Sequence, residues 1–590
     1  MLLSASGARV KACEATAKRP GLNASELLRP DQKSKRESNR SPVLFMRDDR
    51  LRSCISKFKG FLLSGFQYYE YSILARRSQV LQLPKHVAEV RFRKWVAMRI
   101  GFDNDKYISM QAEHIKKRIE QLGGKLYLEF GGKLFDDMHA SRVLPGFKPD
   151  AKVSMLKSMK NDVEIIFAIN ANDIEQNKVR SDLGISYDED VLRLMDILRG
   201  MGFYVGAVVI TQYSGQTAAD AFRHRLKALG ITSYLHYPIP GYPNDIARIV
   251  SDEGYGRNEY IETTRPLVVV TAPGPGSGKM ATCLSQLYHE NKRGVKAGYA
   301  KYETFPVWNL PLNHPVNIAY EAATLDLNDA NIIDPFQLEA YGEVTVNYNR
   351  DVEIFPVLKA MMDRISGHCP YQSPTDMGVN MAGFAIIDDE ACSDAARREI
   401  VRRYYQTATE VKRSGMGQDQ VEKCELLMNQ AGVGANDLKA RSAALLKEEI
   451  TGAPVGAIML PDGEVVTGKT STNLGAAACT LINALKAMAG VDPDADVISD
   501  EAIEPICKLK TNVLESNNPR LHSDETIIAL AISSATNETA KKVLDCVENL
   551  RGCDAFFSVI ISETDEQFYK RLGMNICCEP KYELHRYYHK

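Results

Sequence analysis

The sequence predicts an α/β protein: a Rossmann-like, mainly parallel sheet domain, then a helical connecting segment, then a smaller C-terminal α/β domain. Three observations carry this reading. Between residues 98 and 290, short β-branched runs alternate with amphipathic stretches of helix length, a spacing that calls for right-handed βαβ crossovers. Residues 394–450 carry charged helical faces and few β-formers, and residues 451–590 return to mixed strand and helix signals.

The elements follow in order. Residues 105–122 read as an amphipathic helix, and KLYLEF at 125–130 as a buried strand ending in Gly131 and Gly132. Strands are expected at 163–169, 204–211 and 233–236, with helices at 189–201 and 218–229. PLVVVT at 266–271 is the next strand, running through APGPGSGKM into a helix over 280–291. GFAIIDDE at 383–390 reads as one more strand, ending in three acids. In the C-terminal domain, Pro461-Asp462-Gly463 closes a hairpin over 457–468. Helices at 474–489, 523–535, 539–549 and 565–572 and a strand at 555–561 complete it, while the adjacent Cys577 and Cys578 fit a buried core strand better than a mutual disulfide.

The bulk composition sets limits on function. A chain of 590 residues exceeds one hydrophobic core. With a net charge of -2 it has no overall positive field to gather nucleic acid or an anionic membrane. No apolar run approaches the length of a membrane span. Twelve cysteines without C-x-x-C pairs point to reduced thiols in a cytoplasm. Residues 1–97 read as a disordered or non-native N-terminal extension; Glu14, Glu26, Asp31 and Glu37 argue against a transit peptide, and Met98 is a candidate natural start. Deletion of the extension is expected to leave a folded protein.

The glycine-rich turn is the most informative stretch. Strand, Gly274, Gly276, Ser277, Gly278, Lys279 and helix occur in the order a phosphate cradle needs. Glycine backbone lets N–H groups approach phosphate oxygens, and the new helix adds its positive end. The match to a phosphate loop is partial: Pro273 replaces the first glycine, and Met280 replaces the Ser or Thr that holds magnesium. The same glycines also suit a tight turn for strand–helix packing. Asp388 and Glu390 are the candidate catalytic acids, with Asp388 as a magnesium ligand; the bland alternative is a helix whose first turn carries acids. Further polar loops at strand ends are Glu129, Gly131, Gly132 and Lys133; Asn170, Asn172 and Asp173; Tyr213, Ser214, Gly215 and Gln216; and SPTDMGVN at 373–380. Those after residues 130, 169, 211 and 271 should converge on one sheet edge. There is no H-E-x-x-H, His585 and His589 read as a solvated tail, and no G-x-S-x-G elbow exists.

Read together, RIGFDNDKY at 99–107, LYLEFGGKLFDDMHASRVLPGF at 126–147, SDEGYG at 251–256, TAPGPGSGKMATCLSQLYHE at 271–290, FPVWNLPLNHP at 305–315 and SPTDMGVN at 373–380 closely resemble a bacterial family known as domain of unknown function eighteen-forty-six. The resemblance spans residues 98–590. It implies a cytoplasmic bacterial protein with a Rossmann-like N-terminal part and a separate C-terminal α/β domain. Some family members carry an ATP-dependent peptidase label, which the missing zinc motif does not support. The residues point to an enzyme of phosphoryl-transfer or hydrolase type that takes ATP or another nucleotide with magnesium. The alternatives are an enzyme acting on a phosphorylated or anionic metabolite without ATP, and a non-catalytic binding protein. Nucleic acid and membrane are not expected partners, and a homo-oligomer stays open.

Overall fold

The computed structural model describes residues 99–583, apart from 133, 136 and 181–183. The extension at 1–97, Lys133, His585 and His589 lie outside the described residues.

The sheet is built from β1 (Leu126–Phe130), β2 (Val163–Asn170), β3 (Tyr204–Thr211), β4 (Ser233–Leu235), β5 (Leu267–Thr271) and β6 (Gly298–Tyr302), after which β7 (Asn331–Ile333) and β8 (Val346–Tyr348) form a small antiparallel pair, and β9 (Gly378–Val379) closes the edge. The seven strands run in the order β4-β3-β2-β5-β1-β6-β9, each parallel to its neighbours. A parallel sheet is covered on both faces, so its strands read as continuous apolar runs. Ile165, Phe167 and Ile169 enter one core, against helices α1 (Asn104–Gln121), α2 (Ala151–Lys157), α3 (Tyr187–Gly200) and α4 (Thr217–Ala228). Ile166 and Ala168 enter the other, against α5 (Lys279–Lys292) and α6 (Asn349–Ser366).

The connecting segment is helical, as expected: α7 (Asp389–Ser414), α8 (Gln418–Ala431) and α9 (Lys439–Thr451). The C-terminal sheet has the order β11-β10-β12-β13, with the hairpin β10 (Val455–Met459) and β11 (Val465–Lys469) joined to β12 (Asp554–Phe557) and β13 (Asn575–Cys578). Cys577 and Cys578 lie buried in β13, with no disulfide among the described cysteines. Helices α10 (Ala476–Ala489), α11 (Ser523–Ser533) and α12 (Glu563–Arg571) accompany this sheet.

One apolar cluster crosses all three regions, from Phe102 and Val316 through Ile400 and Leu427 to Ala457, Phe556 and Cys577. The buried Glu399 carboxylate of α7 reinforces it, gripped by Arg142 at 3.0 Å and by Arg402 and Arg403. Three guanidinium groups outweigh the cost of burying that charge and hold its pKa well below the usual range. No helix among the described residues is long and apolar enough to cross a membrane.

The strand expected at 383–387 is not there. Ala382–Ala385 form a single 3-10 turn instead. Only Ala382 and Ala385, three apart, are buried, whereas Phe384 is 50% and Ile387 59% exposed. An apolar run that buries every third residue has no two-fold face to offer a neighbouring strand.

Candidate functional site

In open α/β sheets ligands bind where adjacent strands send their chains to opposite faces. That point here lies between β2 and β5, which pair side by side. From β2 the chain passes to β3 along the α3 face, and from β5 it passes to β6 along the α5 face. The glycine loop stands at this junction and opens α5, whose N-cap, Gly278, adopts φ +82°. A side chain at Gly278 would meet Thr211 at 3.0 Å, and one at Gly274 would collide with the Tyr187 ring. Gly276 has open space around its α-carbon. Close packing therefore accounts for two of the three glycines.

Three of the polar loops join here. Asn170 donates to the Gly276 carbonyl at 3.3 Å while capping its own short helix through the Asn172 N–H. Thr211 donates to the Ser277 carbonyl at 2.8 Å. Gln216 donates to Asn172 Oδ1 at 2.8 Å and accepts from the Ser214 N–H, beside Gly215. The Ser277 hydroxyl turns inward to the Gly274 carbonyl, so it stabilises the turn and does not face a ligand. No side chain caps α5.

Beside the α5 start is a small pocket of about 30 Å³, lined by Thr211, Gln212, His236, Tyr237, Tyr242 and Thr282 among others. Gln212 sits in left-handed backbone at φ +54°, a strained conformation for a residue with a side chain. His236 is buried against the Glu259 carbonyl at 3.2 Å, and burial lowers its pKa to about 4. Thr282, at 0% exposure, points a hydroxyl at the pocket that has no hydrogen-bond partner.

Sequence reasoning missed the charged row under this loop. Glu129 of β1 and Lys301 of β6 are direct register partners. Tyr299 donates to Glu129 at 2.7 Å. Lys301 lies 2.7 Å from Glu303 and pairs with Asp351 in the first turn of α6. Lys279 is half-buried and feels this row: burial lowers its pKa, with Glu129 opposing and Lys301 adding to the shift. Among the described residues no ion pair fixes its ammonium, as a phosphate ligand requires. The acids and lysines come from positions 129, 279, 301, 303 and 351, so no local pattern joins them.

Other candidates lie apart from the loop. Gly131 and Gly132 sit at the same C-terminal sheet edge but face Lys152, which reaches the Gly131 carbonyl at 3.4 Å and pairs with Asp137 at 2.9 Å. Asp388 caps α7 through the Ala391 N–H and pairs with Arg99 at 2.6 Å, while Glu390 takes the other end of that guanidinium at 2.7 Å. A carboxylate so engaged does not fit the magnesium role, and among the described residues no His, Cys, Asp and Glu group has the arrangement to hold a metal. In the C-terminal domain Ser562, His522 and Asp565 approach each other, but Ser562 and Asp565 both contact His522 Nδ1, at 3.2 and 3.0 Å. A relay needs opposite ring nitrogens, so this group caps helix α12.

These features define a Rossmann-like α/β protein with a pocket at the switch point of its parallel sheet. The chain belongs to the family described as domain of unknown function DUF1846, whose N-terminal part matches residues 100–432 and whose C-terminal part matches residues 436–588. It is 58% identical over 492 residues to the UPF0371 protein of Corynebacterium diphtheriae, covering 83% of this chain and 99% of the relative. It is 55% identical over 490 residues to the UPF0371 protein of Streptococcus thermophilus, with the same coverage.

Proposed function

We propose that the protein is an enzyme that binds a small phosphorylated ligand, a nucleotide foremost, with its phosphate at the α5 N-terminus, beside the Tyr237–Tyr242 pocket. The observation that carries the reading is Thr282, a buried hydroxyl without a partner, aimed into a pocket at an uncapped helix start. Burying a polar group unpaired costs about 1–3 kcal/mol, which a ligand recovers. Lys279 supplies a cation without a fixed counter-ion, and the exposed backbone of Gly276 gives a phosphate room to approach. Phosphoryl transfer or hydrolysis suits such a site, because that chemistry consists largely of positioning and charge neutralisation.

One observation favours a phosphorylated metabolite over ATP: Met280 stands where a nucleoside-triphosphate loop places its magnesium-holding hydroxyl. Thermal shift of the full chain against inorganic phosphate, AMP, ATP and sugar phosphates tests both readings. A true ligand at 100 times its Kd stabilises by about 2.7 kcal/mol. Stabilisation by none of the panel, or an equal response from Thr282→Val, overturns the proposal.

A further inference from the structure

His236, just beyond β4, and Thr282, in the first turn of α5, line the same pocket. The backbone fixes the histidine: its N–H donates to the Ile210 carbonyl at 3.0 Å, and its own carbonyl accepts from the Tyr213 N–H at 3.0 Å. Ring atom Nε2 lies 3.2 Å from the Glu259 carbonyl. A carbonyl only accepts, so Nε2 carries the proton, and in a neutral ring Nδ1 is then a bare acceptor. Nδ1 has no hydrogen-bond partner among the described residues, and Thr282 Oγ1 has none either.

The other polar side chains of the pocket have partners or reach water. Thr211 donates to the Ser277 carbonyl. Asn258 donates to Ser285 at 3.0 Å and accepts from the Tyr237 N–H at 2.9 Å, and the Tyr255 hydroxyl turns to the Met361 sulfur at 3.7 Å. Gln212 is exposed, Tyr237 and Tyr242 are half-buried, and none of the three has a buried polar atom without a partner. No residue of the lining is charged, so the pocket suits a neutral group. Its volume of about 30 Å³, where one water needs about 10–15 Å³, admits a hydroxyl or hydroxymethyl group and no base ring.

We infer that this pocket reads an alcohol of the phosphorylated ligand: the ligand hydroxyl donates to His236 Nδ1 and accepts from the Thr282 hydroxyl. This rests on the ligand reading above, and it makes the ligand a sugar phosphate or a nucleotide held by its ribose. A hydroxyl donates and accepts through one small atom, which matches a bare acceptor paired with a free hydroxyl. An amine would arrive charged and find no carboxylate in the lining. Gly278 belongs both to the pocket and to the phosphate loop, so the alcohol and the phosphate are neighbours on one molecule.

Titration calorimetry of the full chain compares AMP with its 2′-deoxy and 3′-deoxy forms, and ribose 5-phosphate and glucose 6-phosphate with their 2-deoxy forms. Loss of one hydroxyl should weaken binding by about tenfold or more, because a site built to hydrogen-bond a hydroxyl rejects the analogue that lacks it. A penalty among the AMP forms identifies a nucleotide, and one confined to the sugar phosphates identifies a sugar phosphate. Thr282→Val, which deletes one half of the contact, should shrink the penalty. Tight binding without any deoxy penalty overturns the inference and leaves the ligand reading standing, as does a penalty undiminished in Thr282→Val. Failure of inorganic phosphate and of every ester to bind overturns both. Nitrogen NMR of the labelled chain, with the His236 signals assigned through His236→Gln, tests the acceptor without a ligand: a proton found on Nδ1 at pH 7 overturns the inference.

Discussion

The Thr211 hydroxyl donates to the Ser277 carbonyl at 2.8 Å and so ties the end of β3 to the glycine loop after β5. This contact makes Gly278 a packing position as well as a conformational one. Gly278→Ala should cost about 1–2 kcal/mol for its left-handed backbone, plus the 3.0 Å contact with Thr211. Gly276→Ala, at φ +73° with nothing within 4 Å, should incur the backbone cost alone. Urea unfolding of the two variants checks the difference; equal losses would show that the Thr211 contact carries no strain.

Thr282→Val removes an unpartnered hydroxyl and keeps the shape. Stability should stay level or rise by up to about 1 kcal/mol, while affinity for a phosphorylated ligand falls several-fold. A clear loss of stability on thermal melting would mean that the hydroxyl has a structural partner.

Lys279→Met keeps the half-buried stem and deletes the charge. Anion binding should weaken by about 1.5–3 kcal/mol, and the melting temperature should not fall, because a desolvated ammonium has been removed. Titration calorimetry with AMP reads the first, and calorimetric melting the second. A packing role for the loop predicts the reverse pattern.

Burial holds His236 neutral down to about pH 4, against an ordinary value of 6.5. The unfolded chain therefore binds a proton at this residue that the folded chain refuses. Its share of stability is present above pH 6.5 and drains away as the pH falls toward 4, by at most about 3 kcal/mol. His236→Gln should flatten that part of the stability–pH curve, and an unchanged slope would place the ring in water.

Asp388→Asn keeps a side chain that caps a helix as well as aspartate does. Melting temperature and phosphate affinity should both stay at wild-type levels. A loss of ligand binding in this variant would restore Asp388 to the site.

Much of the fold was legible because β1 and β5 are fully buried, β2 and β3 are buried over most of their length, and all four write themselves as largely apolar runs. β6 was not, since GYAKY carries Lys301 into the charged row, and the two-residue β9 is too short to leave a pattern. GFAIIDDE misled because apolar content was read as strand where every third residue is buried. The glycine loop and its neighbours Asn170, Asn172 and Ser214 were visible as strand-end polarity. Glu303 and Asp351 were not, because their shared contact with Lys301 exists only after β6 and α6 meet.

The apolar cluster running from Phe102 to Cys577 has a consequence for inheritance. The boundary between the two matched regions, at residues 432–436, passes through a shared interior in which Leu427 and Met428 on one side and Ala457 and Phe556 on the other belong to one packed body. Neither half is portable. A recombination event that carried residues 436–588 into another gene would expose oily surface on both products.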